Sequence, residues 1–244
     1  MGWWAYPAPL PFMVMSFPGI TANLERVRER VADVQKAAGL SQRVQIIAVT
    51  KGHPGAAVLA AIEAGVTDVG ENRVQEALRK QDELGHLPVA WHLIGHLQTN
   101  KAKAAAGRFA AVHSVDSLRV AEALEAANLK LGTAGLDVLL QVNVAGEEQK
   151  TGCHPDDASD IAHAITAFET LRLQGLMTMA PFTDDESVQR DAFSRLRATR
   201  EHLEGEGLAL PELSMGMSND YTAAVAEGAT MLRLGTVLFG ERPR

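Results

Sequence analysis

The sequence predicts an α/β fold, a closed (β/α)8 TIM barrel in which eight parallel strands alternate with helices. Eight short apolar runs recur along the 244 residues, near 44–50, 66–71, 89–94, 110–115, 136–144, 172–179, 212–217 and 230–235. Helical patterns lie between them, around 55–64, 73–84, 98–106, 117–130, 156–168, 185–204 and 219–227, most entered through polar or Gly/Pro residues. Strand, helix, strand repeated in this way implies a parallel sheet, and closing eight units leaves no unpaired edge and covers both faces. An open doubly wound sheet is the competing architecture. It calls for a Gly-rich dinucleotide turn after the first strand, and Lys51-Gly52-His53-Pro54-Gly55 is not GxGxxG.

Ahead of the first strand, Leu24, Val27, Val31 and Val34 fall at spacings of three and four, and Gly39 follows as a C-cap, which predicts an amphipathic helix over 20–39. The first strand is filled by Val44, Ile46, Ile47 and Val49 and broken by Gly52 and Pro54, and it delivers Lys51 at its carboxyl end. The second strand ends Gly70-Glu71-Asn72 and the third reads Trp91-His92-Leu93-Ile94-Gly95, so Asn72 and His92 are expected to line the same mouth. Met177 and Met179 read as barrel packing. Asp184, Asp185 and Glu186 sit where a helix begins and complement its dipole. The seventh strand ends Ser214-Met215-Gly216-Met217-Ser218, and the eighth with its turn reads Met231-Leu232-Arg233-Leu234-Gly235-Thr236.

Residues 1–19 form an N-terminal extension, expected to be poorly ordered, and 20–244 a single barrel domain. The first seventeen residues carry no charge but include prolines at 7, 9 and 11, which fit neither a spanning helix nor a regular strand. No basic start or small-residue cleavage site marks a secretory signal, and translation can equally begin at Met13 or Met15. With 46% hydrophobic residues the chain can bury a full core. Its 23 basic and 30 acidic residues leave a formal charge of −7, so no global field favours nucleic acid or an anionic membrane. The single cysteine, Cys153, can form neither an internal disulfide nor a zinc cluster, which suits a reducing cytoplasm. The absence of a large apolar stripe beyond the extension points to a monomer.

A partly desolvated lysine loses its proton more easily and can attack an aldehyde to form a Schiff base; the competing reading of Lys51 is a strand-end lysine reaching water. Loops after strands seven and eight of such barrels commonly grip phosphate, and Ser218, Gly235 and Thr236 supply hydroxyls and a close backbone approach. Lysine and phosphate grip together suggest an aldehyde phosphate. Arg233 lies two residues before Gly235, so strand alternation sends it into the barrel mouth, where it needs an acceptor. A pyridine ring nitrogen is one candidate, as in pyridoxal phosphate sites; a salt bridge with Glu71 or Asp220 is the other. Asn72 suits a phenolic oxygen, and His92 is either an acid/base group or a satisfied core histidine. His92 and His96 do not share a face on a strand and its loop, so no metal site is expected.

AVTKGHP, GENRVQE, WHLIGHLQTNK, Gln141-Val142-Asn143, Glu148-Gln149-Lys150-Thr151-Gly152, LQGLMTM, LSMGMSND and LRLGTVLFGER, in order over roughly residues 24 to 242, closely resemble the pyridoxal phosphate homeostasis proteins. The resemblance implies a single-domain barrel of the alanine racemase type, PLP fold type III, with pyridoxal 5'-phosphate joined to Lys51 and Arg233 facing its ring nitrogen. Ser218, Gly235 and Thr236 would hold the phosphate, Asn72 lies near the cofactor, and His92 belongs to the matching third-strand motif. It further implies a protein that buffers and delivers the cofactor, with apo-enzymes as transient partners and no robust catalysis. GHP after the lysine and the N-terminal extension depart from the family pattern. An amino acid racemase is the enzyme alternative. Its two-base reaction needs a second acid/base, a tyrosine from an additional β domain in alanine racemases, whereas Tyr6 lies in the extension and Tyr221 near the phosphate loop. A Schiff-base aldolase accounts for Lys51 and the phosphate loop but not for Arg233 or the motif set.

Overall fold

Eight apolar runs pair edge to edge in the computed structural model, in the order β1 to β8, with β8 returning to β1 to close a parallel barrel. The structure describes residues 17–133, 135–146 and 151–241. The strands are β1 (Gln45–Val49), β2 (Asp68–Glu71), β3 (Ala90–Leu93), β4 (Ala111–Val115), β5 (Leu136–Gln141), β6 (Leu171–Met177), β7 (Glu212–Ser214) and β8 (Met231–Leu234). The outer helices are α1 (Ile20–Ala38), α2 (Ala56–Glu63), α3 (Val74–Leu84), α4 (Ala102–Ala105), α5 (Leu118–Leu131), α6 (Ala158–Thr166), α7 (Glu186–Gly205), α8 (Tyr221–Ala226) and α9 (Thr236–Phe239).

Alternation along the strands divides the apolar side chains into two sets. Ala48 of β1 packs outward, with Val69, Leu93, Val112, Leu140, Leu176, Leu213 and Leu232, against the helices. Ile47 turns inward, where it meets Leu139, Met177 and Met231, with Met179 alongside. Arg233 stands opposite Ile47 in the β1–β8 register, two residues beyond the inward Met231, and is therefore also aimed inside. In α1, Ile20, Leu24, Val27 and Val31 are buried, and the helix stops at Gly39, whose φ of 65° lets its N–H return to the carbonyls of Gln35 and Lys36.

Departures from the periodic reading have local causes. The stretch expected as one helix over 98–106 is a 3-10 turn, Thr99–Lys101, running into the short α4. β5 stops at Gln141 rather than 144: Val142 still donates its N–H to Met177 O at 2.9 Å, but beyond Gln141 the chain pairs as an isolated bridge with Cys153. β7 is three residues long; beyond it Gly216 takes φ 95°, and a Cβ there would stand 2.7 Å from Ala224 Cβ. Phe17 packs edge-on against His53 and Phe239, with ring centroids 5.5 and 5.4 Å away, joining the segment before α1 to the loop after β1 and to α9. Residues 1–16, with Tyr6, Met13 and Met15, and Glu148, Gln149 and Lys150 of the family motif lie outside the described residues. Among the described residues no helix is long and apolar enough to cross a membrane, and no cluster of ligating side chains could hold a metal ion.

Candidate functional site

Lys51 follows β1 at the carboxyl mouth, partly buried, and the backbone on either side of it is clamped from outside the barrel. Lys80 of α3 is fully buried. Its ammonium donates to Thr50 O at 2.7 Å, Glu71 Oε1 at 2.6 Å and Glu76 Oε1 at 3.0 Å. Thr50 Oγ1 donates to the same Glu71 oxygen at 2.5 Å, and the Gly52 N–H donates to Glu76 Oε1 at 2.6 Å. Burial raises the Glu71 carboxyl above its ordinary range, against the hydrogen bonds from Lys80 and Thr50. In Glu76 burial pushes upward too, but the Gly52 N–H and Lys80 outweigh it and the net shift is down. One buried cation therefore fixes the residues before and after Lys51. Nothing in the apolar periodicity of α3 distinguishes Lys80 from a solvated helix residue; the signal is its placement one turn after Glu76 and opposite Glu71, which only the fold supplies.

Arg233, 3% exposed, is held by backbone as much as by side chains. One terminal nitrogen donates to Ser214 O at 2.6 Å and Ser214 Oγ at 2.7 Å; the other donates to Thr178 O at 2.8 Å. Burial lowers its pKa to about 10, with the Asp220 carboxylate opposing the shift, so the guanidinium stays charged at neutral pH. Of the two salt-bridge partners considered from sequence, Glu71 is taken by Lys80 on the other side of the strand. Asp220 instead accepts the Met217 N–H and acts on Arg233 through space.

At the β8 turn, the N–H groups of Gly235 and Val237 both point at one oxygen, Ser218 Oγ, at 3.3 and 3.2 Å. Two backbone donors converging on a single hydroxyl oxygen form a cradle of the kind that takes a phosphate oxygen. Thr236 stands exposed between them. Gly235 abuts β1: a Cβ on it would lie 3.5 Å from Val49 O, two residues before Lys51. His53 and Phe239, centroids 5.3 Å apart, tie the Lys51 loop to α9 on the other side. Lys51, Arg233, Ser218, Gly235 and Thr236 thus belong to one mouth formed by β1, β7 and β8.

Asn72 stands at the end of β2 with its backbone against Gly95, whose missing Cβ would fall 2.3 Å from Asn72 O. It opens on a cleft of about 390 Å³ shared with His96, Gln98 and Lys101. His92 is buried deeper. Its Nδ1 meets His113 Nε2 at 2.9 Å and its Nε2 meets Asp68 Oδ1 at 3.1 Å, at the amino end of β2. His113 continues to Ser214 Oγ at 2.8 Å, so His92 reaches Arg233 through two other side chains. Cys153 is buried and its thiol is pushed up to about 12 by burial, which removes it as a nucleophile.

A closed parallel barrel whose last two strands bring an arginine and a hydroxyl-lined cradle beside a strand-end lysine is a single-domain barrel of the alanine racemase type. The family model described as alanine racemase, N-terminal domain, matches residues 22–243. A curated relative from Pseudomonas aeruginosa, named pyridoxal phosphate homeostasis protein, is 46% identical over 224 residues, 91% of this chain and 96% of the relative. Another of that name, from Aquifex aeolicus, is 38% identical over 222 residues, 90% of this chain and 97% of the relative. The solved structure of PipY from Synechococcus elongatus PCC7942 with PLP bound superposes with a TM-score of 0.80 at 38% identity, covering 91% of this chain and all of that one. The chain belongs to the pyridoxal phosphate homeostasis protein family.

Proposed function

We propose that this protein binds pyridoxal 5'-phosphate as a Schiff base on Lys51 and buffers and delivers it in vitamin B6 and amino acid homeostasis, without robust catalysis of its own. The observation that carries the reading is Arg233. It is a donor-only cation, immobilised at the mouth by Ser214 and Thr178, beside an anion cradle and a lysine. The residues fit the cofactor: the Ser218, Gly235 and Thr236 corner suits its phosphate, Arg233 its ring nitrogen and Asn72 its phenolic oxygen. Bound pyridoxal phosphate supplies an aldehyde carbon for the lysine and a ring that withdraws electrons. Arg233 holds its own proton and leaves the ring nitrogen unprotonated, which weakens that withdrawal. The PLP-bound PipY structure and the names of the relatives support the same ligand.

Racemisation needs a second acid/base on the opposite cofactor face. Tyr221, the tyrosine among the described residues, packs on the outer apolar layer between strands and helices, with its phenol pushed upward by burial. That placement favours the carrier over the racemase.

Borohydride reduction of the protein loaded with pyridoxal phosphate should bleach its yellow colour and leave a pyridoxyl mass on the peptide containing Lys51. Lys51→Ala should stay folded and take up no reducible adduct. Transfer to an apo-enzyme, followed against free cofactor at matched concentration, measures delivery. An adduct on another lysine, or robust D-alanine formation by the loaded protein, would overturn the reading.

A further inference from the structure

The barrel interior around Ile47, Leu139, Met177 and Met231 is apolar, and polar side chains placed in such surroundings are costly unless paired. Four polar groups nevertheless cross it in a continuous line. Ser214 Oγ lies 2.7 Å from Arg233, His113 Nδ1 2.8 Å from Ser214 Oγ, His92 Nδ1 2.9 Å from His113 Nε2, and Asp68 Oδ1 3.1 Å from His92 Nε2. Ser214 and His113 are fully buried and His92 is 4% exposed. The line begins at the carboxyl mouth and ends on the other face of the barrel. There Asp68 borders a cleft of about 310 Å³ that also includes Arg28, Gln35, Arg43, Gln45 and Thr67.

One set of proton positions satisfies every bond of the line from both ends. Arg233 only donates, so Ser214 Oγ accepts from it, and in the arrangement that keeps the line one-way the hydroxyl proton goes to His113 Nδ1. Burial above all, with the Arg233 cation adding to it, holds His113 neutral. A neutral ring that accepts at Nδ1 carries its proton at Nε2 and donates it to His92 Nδ1. From the far end, burial raises the Asp68 pKa, but the bonds from His92, Gln45 and Thr67 outweigh it and leave the carboxyl below its ordinary value. Asp68 is therefore a carboxylate and requires the proton of His92 on Nε2. These tautomers are assigned from the hydrogen-bond pattern. Every donor points away from the mouth, and no atom of the line is left unpartnered.

We propose that Ser214, His113 and His92 are positioning residues that couple Arg233 at the cofactor mouth to Asp68 in the cleft on the opposite face. The proposal rests on the cofactor reading above. Engagement of Arg233 by the pyridine ring tightens or loosens its bond to Ser214 Oγ, and a one-way line of single bonds transmits the change to Asp68. By reciprocity, a change at Asp68 alters how firmly the cofactor is held. Ser214→Ala isolates this role. Arg233 keeps its bonds to the Ser214 and Thr178 carbonyls and loses only the hydroxyl.

The test uses the full chain labelled with nitrogen-15. In cofactor-free protein, long-range proton–nitrogen spectra should show both His92 and His113 neutral with the proton on Nε2, and Asp68→Asn should shift the Arg233 guanidinium resonances. Titration with pyridoxal phosphate should move the His92 ring signals, whereas inorganic phosphate, which reaches only the cradle, should not. Ser214→Ala should abolish the His92 response and weaken cofactor retention by about two- to thirtyfold. A proton on Nδ1 of either ring, an Arg233 signal indifferent to Asp68→Asn, or a His92 response undiminished in Ser214→Ala would each overturn the coupling. Failure of pyridoxal phosphate to bind at all would remove the functional reading instead, and the tautomers and the Asp68→Asn arm would still decide the line of bonds.

Discussion

Replacing Lys80 with methionine removes the cation that closes the outer side of the Lys51 loop while keeping its apolar stem. Lys80 and Glu71 are both fully buried, and the ammonium serves two carboxylates and the Thr50 carbonyl. Breaking a buried ion pair from one side typically costs about 3–5 kcal/mol, because the surviving charge stays desolvated. For a domain of this size each kcal/mol shifts the melting temperature by about 2–4 °C, so Lys80→Met should melt about 6–20 °C lower at pH 7. Lys80→Met combined with Glu71→Gln should recover most of the loss, since Glu76 is partly exposed and can be hydrated. Acid should help the single variant. A carboxyl whose folded pKa lies above its ordinary 4.5 favours folding when protonated, and that contribution is lost as pH rises through the folded pKa. The penalty of Lys80→Met should therefore shrink between pH 7 and pH 5. Urea unfolding followed by circular dichroism at the two pH values measures it. A loss below about 1 kcal/mol at pH 7, which would be the behaviour of a surface pair, or a penalty that grows on acidification, would refute the reasoning.

Gly95→Ala forces a methyl to within 2.3 Å of Asn72 O and should cost about 1–3 kcal/mol or more while lowering cofactor retention. Gly205→Ala, whose methyl meets nothing within 4 Å, is the control; equal stability of the two variants would contradict the packing described. Cys153, with its thiol near 12, should resist disulfide reagents in the native protein at pH 8 and react fully in urea, and rapid stoichiometric labelling of the folded chain would refute its burial.

The barrel was legible because its strands are short apolar runs bounded by glycine, proline or polar residues; each expected run overlaps one of β1 to β8, and only β6 begins outside its run, one residue early. Strand ends were less so: β5 and β7 stop early where Val142 bridges Cys153 and where Gly216 turns left-handed. Lys51, Arg233, Ser218 and Gly235 could be assembled from sequence because they occupy strand ends, and strand ends converge on one face by topology. Lys80 could not, since its partner Glu71 belongs to a neighbouring strand and its burial depends on how α3 lies. The line from Arg233 to Asp68 was equally hidden. Ser214, His113 and His92 lie in three separate strands, and only closure of the barrel brings β4 across to β7.

Two main-chain carbonyls and a serine hydroxyl grip Arg233. A docking cation held by the fold's own backbone loses little freedom on capture, so ordering it subtracts almost nothing from the strength of the complex. In the proposed binding mode uptake at this corner would need no rearrangement there, and the lifetime of the loaded state would be set by the bond at Lys51 and by whatever loosens the arginine from behind.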